Sequence, residues 1–303
     1  MTPHPSRTRV FLCAALVMSH VPRAVAPGGT PRPPSFRHVF VLVEENKNYA
    51  SVIDNTAAPY LNRLADQYGL ATQYHANTHP SIGNYFTLTV GKIVTNESEF
   101  SGLVTDDNIV RQLVAAGKTW KSYAEDLPSI GYTGDGPTPY ARRHNPLSYL
   151  SDVVNDSVQR QRLVPFSQLA TDVANHTLPN YGFIVPNLCH DAHNCSLDSA
   201  DQWLRTNVPP LIASPQFQRD GLLIIVFDEA QDDTTGGGGR VVWVGVSAKS
   251  KRGYRSATPY QHESTLRLAA EALGLTTFPG AAATAPSMAE FFVAPASRAA
   301  EAP

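Results

Sequence analysis

The chain has 303 residues, 42% hydrophobic and 17% charged, with 24 Lys and Arg against 26 Asp and Glu. A chain of this size and make-up buries a full core, which excludes a disordered protein, a collagen and a small disulfide scaffold. No apolar run reaches the roughly 20 residues of a membrane-spanning helix, so stable membrane insertion is not expected, and the slightly acidic balance argues against a nucleic-acid partner.

Residues 1–26 read as an export signal. Arg7 and Arg9 precede the apolar run 10–18, and Ala24, Val25 and Ala26 supply the small residues of a cleavage site. The rival reading is an unprocessed tether through the same stretch, and Pro27 argues for a cut displaced towards Arg32. Loss of 1–26 removes Arg7, Arg9 and Arg23 and no acid, which moves the net charge from −2 to −5. A secreted protein is expected. Residues 27–36, rich in Pro and Gly, read as a linker, 37–293 as the globular domain and 294–303 as a disordered tail.

Within the domain, 37–43 (RHVFVLV) is a β-branched run that ends in acids, the pattern of a buried strand with polar groups at its carboxyl end. Strands of the same kind are predicted at 181–185, 222–227 (LLIIVF) and 241–246 (VVWVGV). Helical spacing of apolar residues predicts helices over 57–68, 108–116 and 262–273, the last closed by Gly274. This alternation predicts an α/β fold, a mostly parallel central sheet with helices on both faces. Ligands of such sheets bind beyond the carboxyl ends of the strands. The first strand delivers Glu44, Glu45 and Asn46 there, and the LLIIVF strand delivers Asp228 and Glu229. Either acid pair alone would be a cap or a solvated turn. Two pairs after two core strands, with histidine-rich loops elsewhere, suggest a cation site.

Three loops are dense in reactive groups: 78–85 (THPSIGNY), 142–146 (RRHNP) and 186–193 (PNLCHDAH). Cys13 falls in the export signal, which leaves Cys189 and Cys195 as an even pair, and in an oxidising compartment a disulfide between them is expected rather than a zinc pair. The ring it closes contains His190, Asp191 and His193, against the blander reading of a solvated polar loop. Isolated His38, His75 and His176 read as ordinary surface or core histidines. The glycine run 236–239 after the second acid pair fits either a mobile loop over the site or a plain hairpin connection.

Taken together and in order, HVFVLVEENKNY, THPSIGNYFTLTVG, RRHNP, PNLCHDAHNCS, FDEAQDD and QHESTLRLAAEALGL resemble the bacterial phosphoesterase family, which groups secreted acid phosphatases with phospholipase C enzymes inside the alkaline-phosphatase-like superfamily. The resemblance runs from about Arg37 to Leu275. It is strongest to the exported acid phosphatases described as acting on phosphoinositides and other phosphomonoesters. The resemblance implies an alkaline-phosphatase-like sheet and a metal site of Glu45, Asn46, Ser81, Asp228 and Glu229. Ser81 takes the place of the nucleophile, with Thr78 a second candidate hydroxyl. Asn84 and His144 fall at phosphate-binding positions, and His190, Asp191 and His193 in the catalytic loop, where His190 or His193 would protonate the leaving alcohol. Gly83 stands where the family usually has Pro, which implies a looser turn at Ser81. His262 either reaches the site or caps its helix.

Oxygen donors suit Mg, Ca or Mn, and the histidines shift preference towards Zn or Fe; one divalent ion is expected and a second left open. The implied activity is that of a secreted, metal-dependent acid phosphatase hydrolysing small phosphomonoesters or phosphoinositides through a phosphoserine intermediate. Two alternatives stand beside it. One is a phospholipase C-type phosphodiesterase acting on phospholipids, whose family members tend to be longer than this chain. The other is a non-catalytic exported binding module. Oligomeric state is not legible in the sequence.

Overall fold

The computed structural model of the chain describes Met1 and residues 31–293. The predicted export signal and the predicted tail lie outside the described residues, Met1 excepted. Among the described residues eight strands form one sheet: β1 (His38–Glu44), β2 (Gly69–Ala71), β3 (Trp120–Ala124), β4 (Leu163–Pro165), β5 (Tyr181–Val185), β6 (Gly221–Phe227), β7 (Trp243–Val246) and β8 (Arg255–Ser256). Their order is β4-β3-β5-β1-β6-β7-β2-β8. β4, β3, β5, β1 and β6 pair in parallel, and β7 runs antiparallel to both of its neighbours. This is the mostly parallel α/β sheet that the sequence predicts.

The alternation of side chains along a strand explains the two helical layers. On β5, Phe183 packs edge-on against Tyr85 of the helix Ser81–Val90, with ring centroids 6.3 Å apart. Its neighbour Ile184 turns to the opposite face and lines, with Leu42 and Leu223, the contact to Trp203, Val208 and Leu211 of the helix Leu197–Ile212. The helix Ser81–Val90 packs in turn on His262–Ala272, and Leu197–Ile212 on Pro59–Gln67. All seven residues of β6 are buried, as its unbroken apolar run requires of a central parallel strand.

The predicted strands and helices agree with the observed ones to within a few residues. Two long helices escape the spacing argument. Ser81–Val90 is buried all round, so it carries no polar stripe to set a period. Leu197–Ile212 contains Pro209 and Pro210, which read as breakers. Strand β3 (WKSYA) is too short and too polar to stand out. The predicted linker also differs at its end: Phe36 is buried and meets Phe292 with centroids 5.4 Å apart.

The glycine run forms a hairpin connection between β6 and β7 that is knitted to the neighbouring chain. Gly238 N donates to Ala76 O at 3.0 Å, and Ala76 N donates to Gly239 O at 2.9 Å. At Gly237, with φ of +112°, any Cβ would run into the Asn77 carbonyl oxygen, so glycine is required by the close approach. Among the described residues no helix is long and apolar enough to cross a membrane.

Candidate active site

The parallel strands β1 and β6 lie side by side, Glu44 paired with Phe227, so the residues that follow them emerge at one edge. Glu45 and Asn46 come from β1, and Asp228 and Glu229 from β6. Asn46 takes a left-handed backbone (φ 49°), and its N–H donates to Asp228 Oδ1 at 3.2 Å. Ser81 opens its helix and is buried. Its Oγ lies 3.1 Å from Glu45 Oε2 and 3.2 Å from Glu229 Oε1. A hydroxyl has one proton to give, so the second of these close oxygen pairs needs either a protonated carboxyl or a cation. Burial raises the pKa of Glu45, and Asp228 and Asp191 raise it further. Burial also raises that of Asp228, with Glu229 adding to it, and that of Glu229, against the opposing pull of His79.

The residues fit a divalent cation. Asp228 is fully buried, and its Oδ2 has no hydrogen-bond partner. Three carboxylates, the Asn46 amide and the Ser81 hydroxyl form a hard-oxygen donor set. Beside it, Glu45, His144 and His193 offer ligand atoms that all lie within 4.8 Å of one another. His144 gives Nδ1 to Asp191 Oδ2 at 3.1 Å, which leaves Nε2 facing Glu45 Oε1 at 3.4 Å. A carboxylate behind an imidazole in this way fixes its tautomer and raises its basicity as a ligand. Burial lowers the pKa of His144, with Asp191 opposing, so the ring is biased towards neutral.

Asp191 organises this side of the site. Its carboxylate accepts from His144 and from the His193 main-chain N–H at 2.8 Å, and its carbonyl oxygen accepts from Glu45 N at 2.7 Å. The Cys189–Cys195 disulfide closes the loop that holds it. Lys47 Nζ ties the loop to β1 through Ala192 O at 2.9 Å.

Other predicted residues are placed differently. The Asn84 carboxamide bonds its own loop: Oδ1 accepts from Asn77 N and Thr78 N, and Nδ2 donates to Thr78 O at 2.8 Å. These bonds use Oδ1 and one of the two Nδ2 hydrogens. Thr78 Oγ1 donates to His79 O and accepts from Asn96 Nδ2, away from the carboxylates. His190 is held against Glu125 rather than among the metal acids. Gly83 does not loosen the turn. It is the third residue of a buried helix, and Asn96 and Thr78 fill the space a Cβ would need.

His262 neither enters the site nor caps its helix through its side chain. Its Nε2 donates to the Asp228 main-chain oxygen at 2.6 Å while Nδ1 meets Tyr74 OH at 3.1 Å. Burial pushes its pKa down to about 4, so it props the acid from behind as a neutral ring.

Sequence reasoning missed three supports. Tyr85 OH donates to Glu45 Oε1 at 2.6 Å and its ring stacks on His144. His79 Nδ1 lies 3.0 Å from Glu229 Oε2. Glu125 holds His190. Tyr85 was within reach of the sequence, since it stands four residues after Ser81 and so on one helical face once that helix is recognised.

Comparison with known proteins gives the family and the fold. The model of the Phosphoesterase family matches residues 51–276. A phosphatidylinositol-3-phosphatase of Mycobacterium tuberculosis is 34% identical over 199 residues, 65% of this chain and 64% of that protein. A probable acid phosphatase of Kluyveromyces lactis is 30% identical over 244 residues, 77% of this chain and 57% of that protein. The chain thus spans about three fifths of the length of these curated relatives. Among solved structures, an alkaline phosphatase superfamily protein of Vibrio parahaemolyticus has a TM-score of 0.58 at 11% identity, covering 81% of this chain and 69% of that one. Human ectonucleotide pyrophosphatase/phosphodiesterase 5 has a TM-score of 0.57 at 8% identity, covering 85% of this chain and 100% of that one. These two likenesses concern the fold. The chain belongs to the phosphoesterase family. The family match begins after Glu45 and Asn46, and it is the register of β1 on β6 that carries those two residues to the matched part.

Proposed function

We propose that this member of the phosphoesterase family is an exported, metal-dependent phosphomonoesterase of the acid phosphatase type, with Ser81 as its nucleophile. The observation that carries the reading is the convergence of Ser81 Oγ with Glu45 and Glu229 beside the unpartnered Asp228 Oδ2. Glu45, Asn46, Asp228 and Glu229 would hold a divalent ion. Such an ion, when bound, lowers the pKa of a coordinated hydroxyl and polarises a phosphoryl oxygen.

The chain's own residues do the rest. Ser81 is the first residue of a ten-residue helix, so the phosphoryl group it attacks faces the positive end of the helix dipole. Glu45, fixed by Tyr85 OH and Asn46 Nδ2, keeps the hydroxyl in line, and His79 holds Glu229 from the other side. His144 and His193 border the place of the equatorial phosphoryl oxygens. Attack forms the bond from Ser81 Oγ to phosphorus, the alcohol leaves, and water hydrolyses the phosphoserine. The nitrogen donors at Glu45 leave room for Zn or Fe beside Mg, Ca or Mn. Relatives named acid phosphatase and phosphatidylinositol-3-phosphatase support small phosphomonoesters and phosphoinositides as the substrate class. The disulfide supports export to an oxidising compartment.

The test is hydrolysis of 4-nitrophenyl phosphate against bis(4-nitrophenyl) phosphate by the full chain, before and after chelation and with single metals restored. Ser81→Ala should lower monoester turnover by roughly 10³-fold or more, and acid quenching of the wild type should trap phosphate on Ser81. Full turnover in Ser81→Ala, or preference for the diester, would overturn the reading.

A further inference from the structure

We propose that Glu125 is a positioning residue that sets His190 to protonate the leaving alcohol, an inference that rests on the phosphomonoesterase reading above. Glu125 follows β3 directly, at the same carboxyl edge of the parallel strands as Glu45. Its carboxylate is spent on three donors. His190 Nδ1 lies 3.0 and 2.9 Å from its two oxygens, Trp203 Nε1 donates to Oε1 at 3.1 Å, and Asn187 N donates to Oε2 at 3.0 Å. The same short segment is fastened again from below. Asn187 Oδ1 accepts from the main-chain N–H of Cys189 and His190, and Asn187 Nδ2 donates to Asp126 Oδ2 at 2.7 Å. Trp203 supports the His190 ring, with centroids 6.3 Å apart and planes 27° from parallel.

A carboxylate can only accept, so Nδ1 carries the proton and the reactive nitrogen of His190 is Nε2. Nε2 lies across the ring from Glu125, on a side chain 37% exposed, and makes no hydrogen bond among the described residues. The next residue in the chain, Asp191, accepts from Glu45 N through its carbonyl oxygen, so the main chain that carries His190 borders the site. His193 has a different place. Its Nδ1 meets Asn194 Oδ1 at 2.7 Å, and its ring offers a ligand atom to the Glu45 and His144 cluster. Each imidazole at this edge therefore has its own partner: Asp191 behind His144 for the carboxylate side, Glu125 behind His190 for the side open to solvent.

In the step assigned to the pair, Ser81 Oγ gives its proton to one of the carboxylates it faces, Glu45 or Glu229, and its bond to phosphorus forms as the bond from phosphorus to the alcohol oxygen breaks. The electron pair of the broken bond goes to the alcohol oxygen, which takes the proton from Nε2 of the imidazolium. The ring is left neutral, with its Nδ1–H still donated to Glu125. A fixed carboxylate at Nδ1 keeps Nε2 aimed at the leaving oxygen.

The test compares leaving groups in kcat/KM for wild type, Glu125→Gln, His190→Ala and the double variant. An alkyl phosphate such as glycerol phosphate needs a proton on its leaving oxygen, whereas 4-nitrophenolate departs without one. Glu125→Gln should lower kcat/KM for the alkyl ester about 10²-fold and for 4-nitrophenyl phosphate by less than about threefold. The double variant should be no slower on the alkyl ester than His190→Ala alone. Equal losses on both substrates would make Glu125 a mere support of the loop, and an undiminished alkyl rate would remove it from the reaction; either result overturns the inference. A wild type inert towards both esters would instead remove the phosphomonoesterase reading, and this inference with it.

Discussion

Asp172 and Asp228 are both buried, at 2% and 0% exposure, yet they sit in opposite electrostatic states. Asp172, on the helix Gln168–Ala174, is saturated. Lys121 Nζ and Tyr123 OH reach Oδ2 at 2.6 and 2.7 Å, and Gln168 and Thr177 donate to Oδ1. Burial alone would raise its pKa, but these donors outweigh burial and hold it below the usual carboxylate range. Asp228 receives one main-chain N–H on Oδ1 and nothing on Oδ2, with Glu229 beside it, and its pKa is raised. Burial does not decide the state of an acid. The donors around it do, and Asp228, left short of donors beside Ser81 and Glu45, is suited to hold a cation.

The sharpest way to break this contrast is to neutralise each acid. Asp228→Asn should cost at least about 10³-fold in phosphomonoester turnover through loss of the metal. In chelator the same variant should unfold no more easily than wild type, and be more stable by about 1 kcal/mol, because an unpaired buried charge has gone. A clear loss of stability in chelator would show that Asp228 serves the fold after all. Asp172→Ala should show the reverse: turnover per folded molecule kept, and about 3 kcal/mol of stability lost, because Lys121 is left without its partner in a site it reaches only at 16% exposure. The pH dependence follows from the direction of the shift. A carboxyl whose folded pKa is lowered stabilises the protein above its unfolded pKa of about 3.9 and loses that contribution as pH falls through the folded value. Denaturant titrations of wild type and Asp172→Ala should therefore converge as pH falls below about 4. A gap that stays constant to lower pH would contradict the pairing. The smallest effect is expected at the disulfide, where Cys189→Ser with Cys195→Ser should cost roughly 2 kcal/mol for so short a loop. If turnover falls with it, the ring is needed to hold Asp191 on Glu45; full turnover would restrict it to stability.

Much of the site was legible because the acids stand where strands end. A β-branched run followed by Glu45 and Asn46, and another followed by Asp228 and Glu229, place four donors at one edge once the strands are parallel neighbours. Asn84 shows what a motif leaves open: a residue near Ser81 can bond its own turn as well as a ligand, and Asn84 gives the turn its Oδ1 and one Nδ2 hydrogen. His190 was separated from its loop companions by Glu125, a residue 65 positions away that carries no motif of its own.

The sequence by itself determined the parallel sheet, the two acid pairs and the paired cysteines, because strand period, strand-end chemistry and the close spacing of Cys189 and Cys195 are properties of neighbours along the chain. Only the tertiary structure decided which acids are short of donors, which histidine faces which carboxylate, and that Tyr85, His79, Glu125 and His262 hold the site in place. Those facts depend on side-chain contacts between segments tens to hundreds of residues apart, where a rotation of one ring or a shift of one turn exchanges one partner for another.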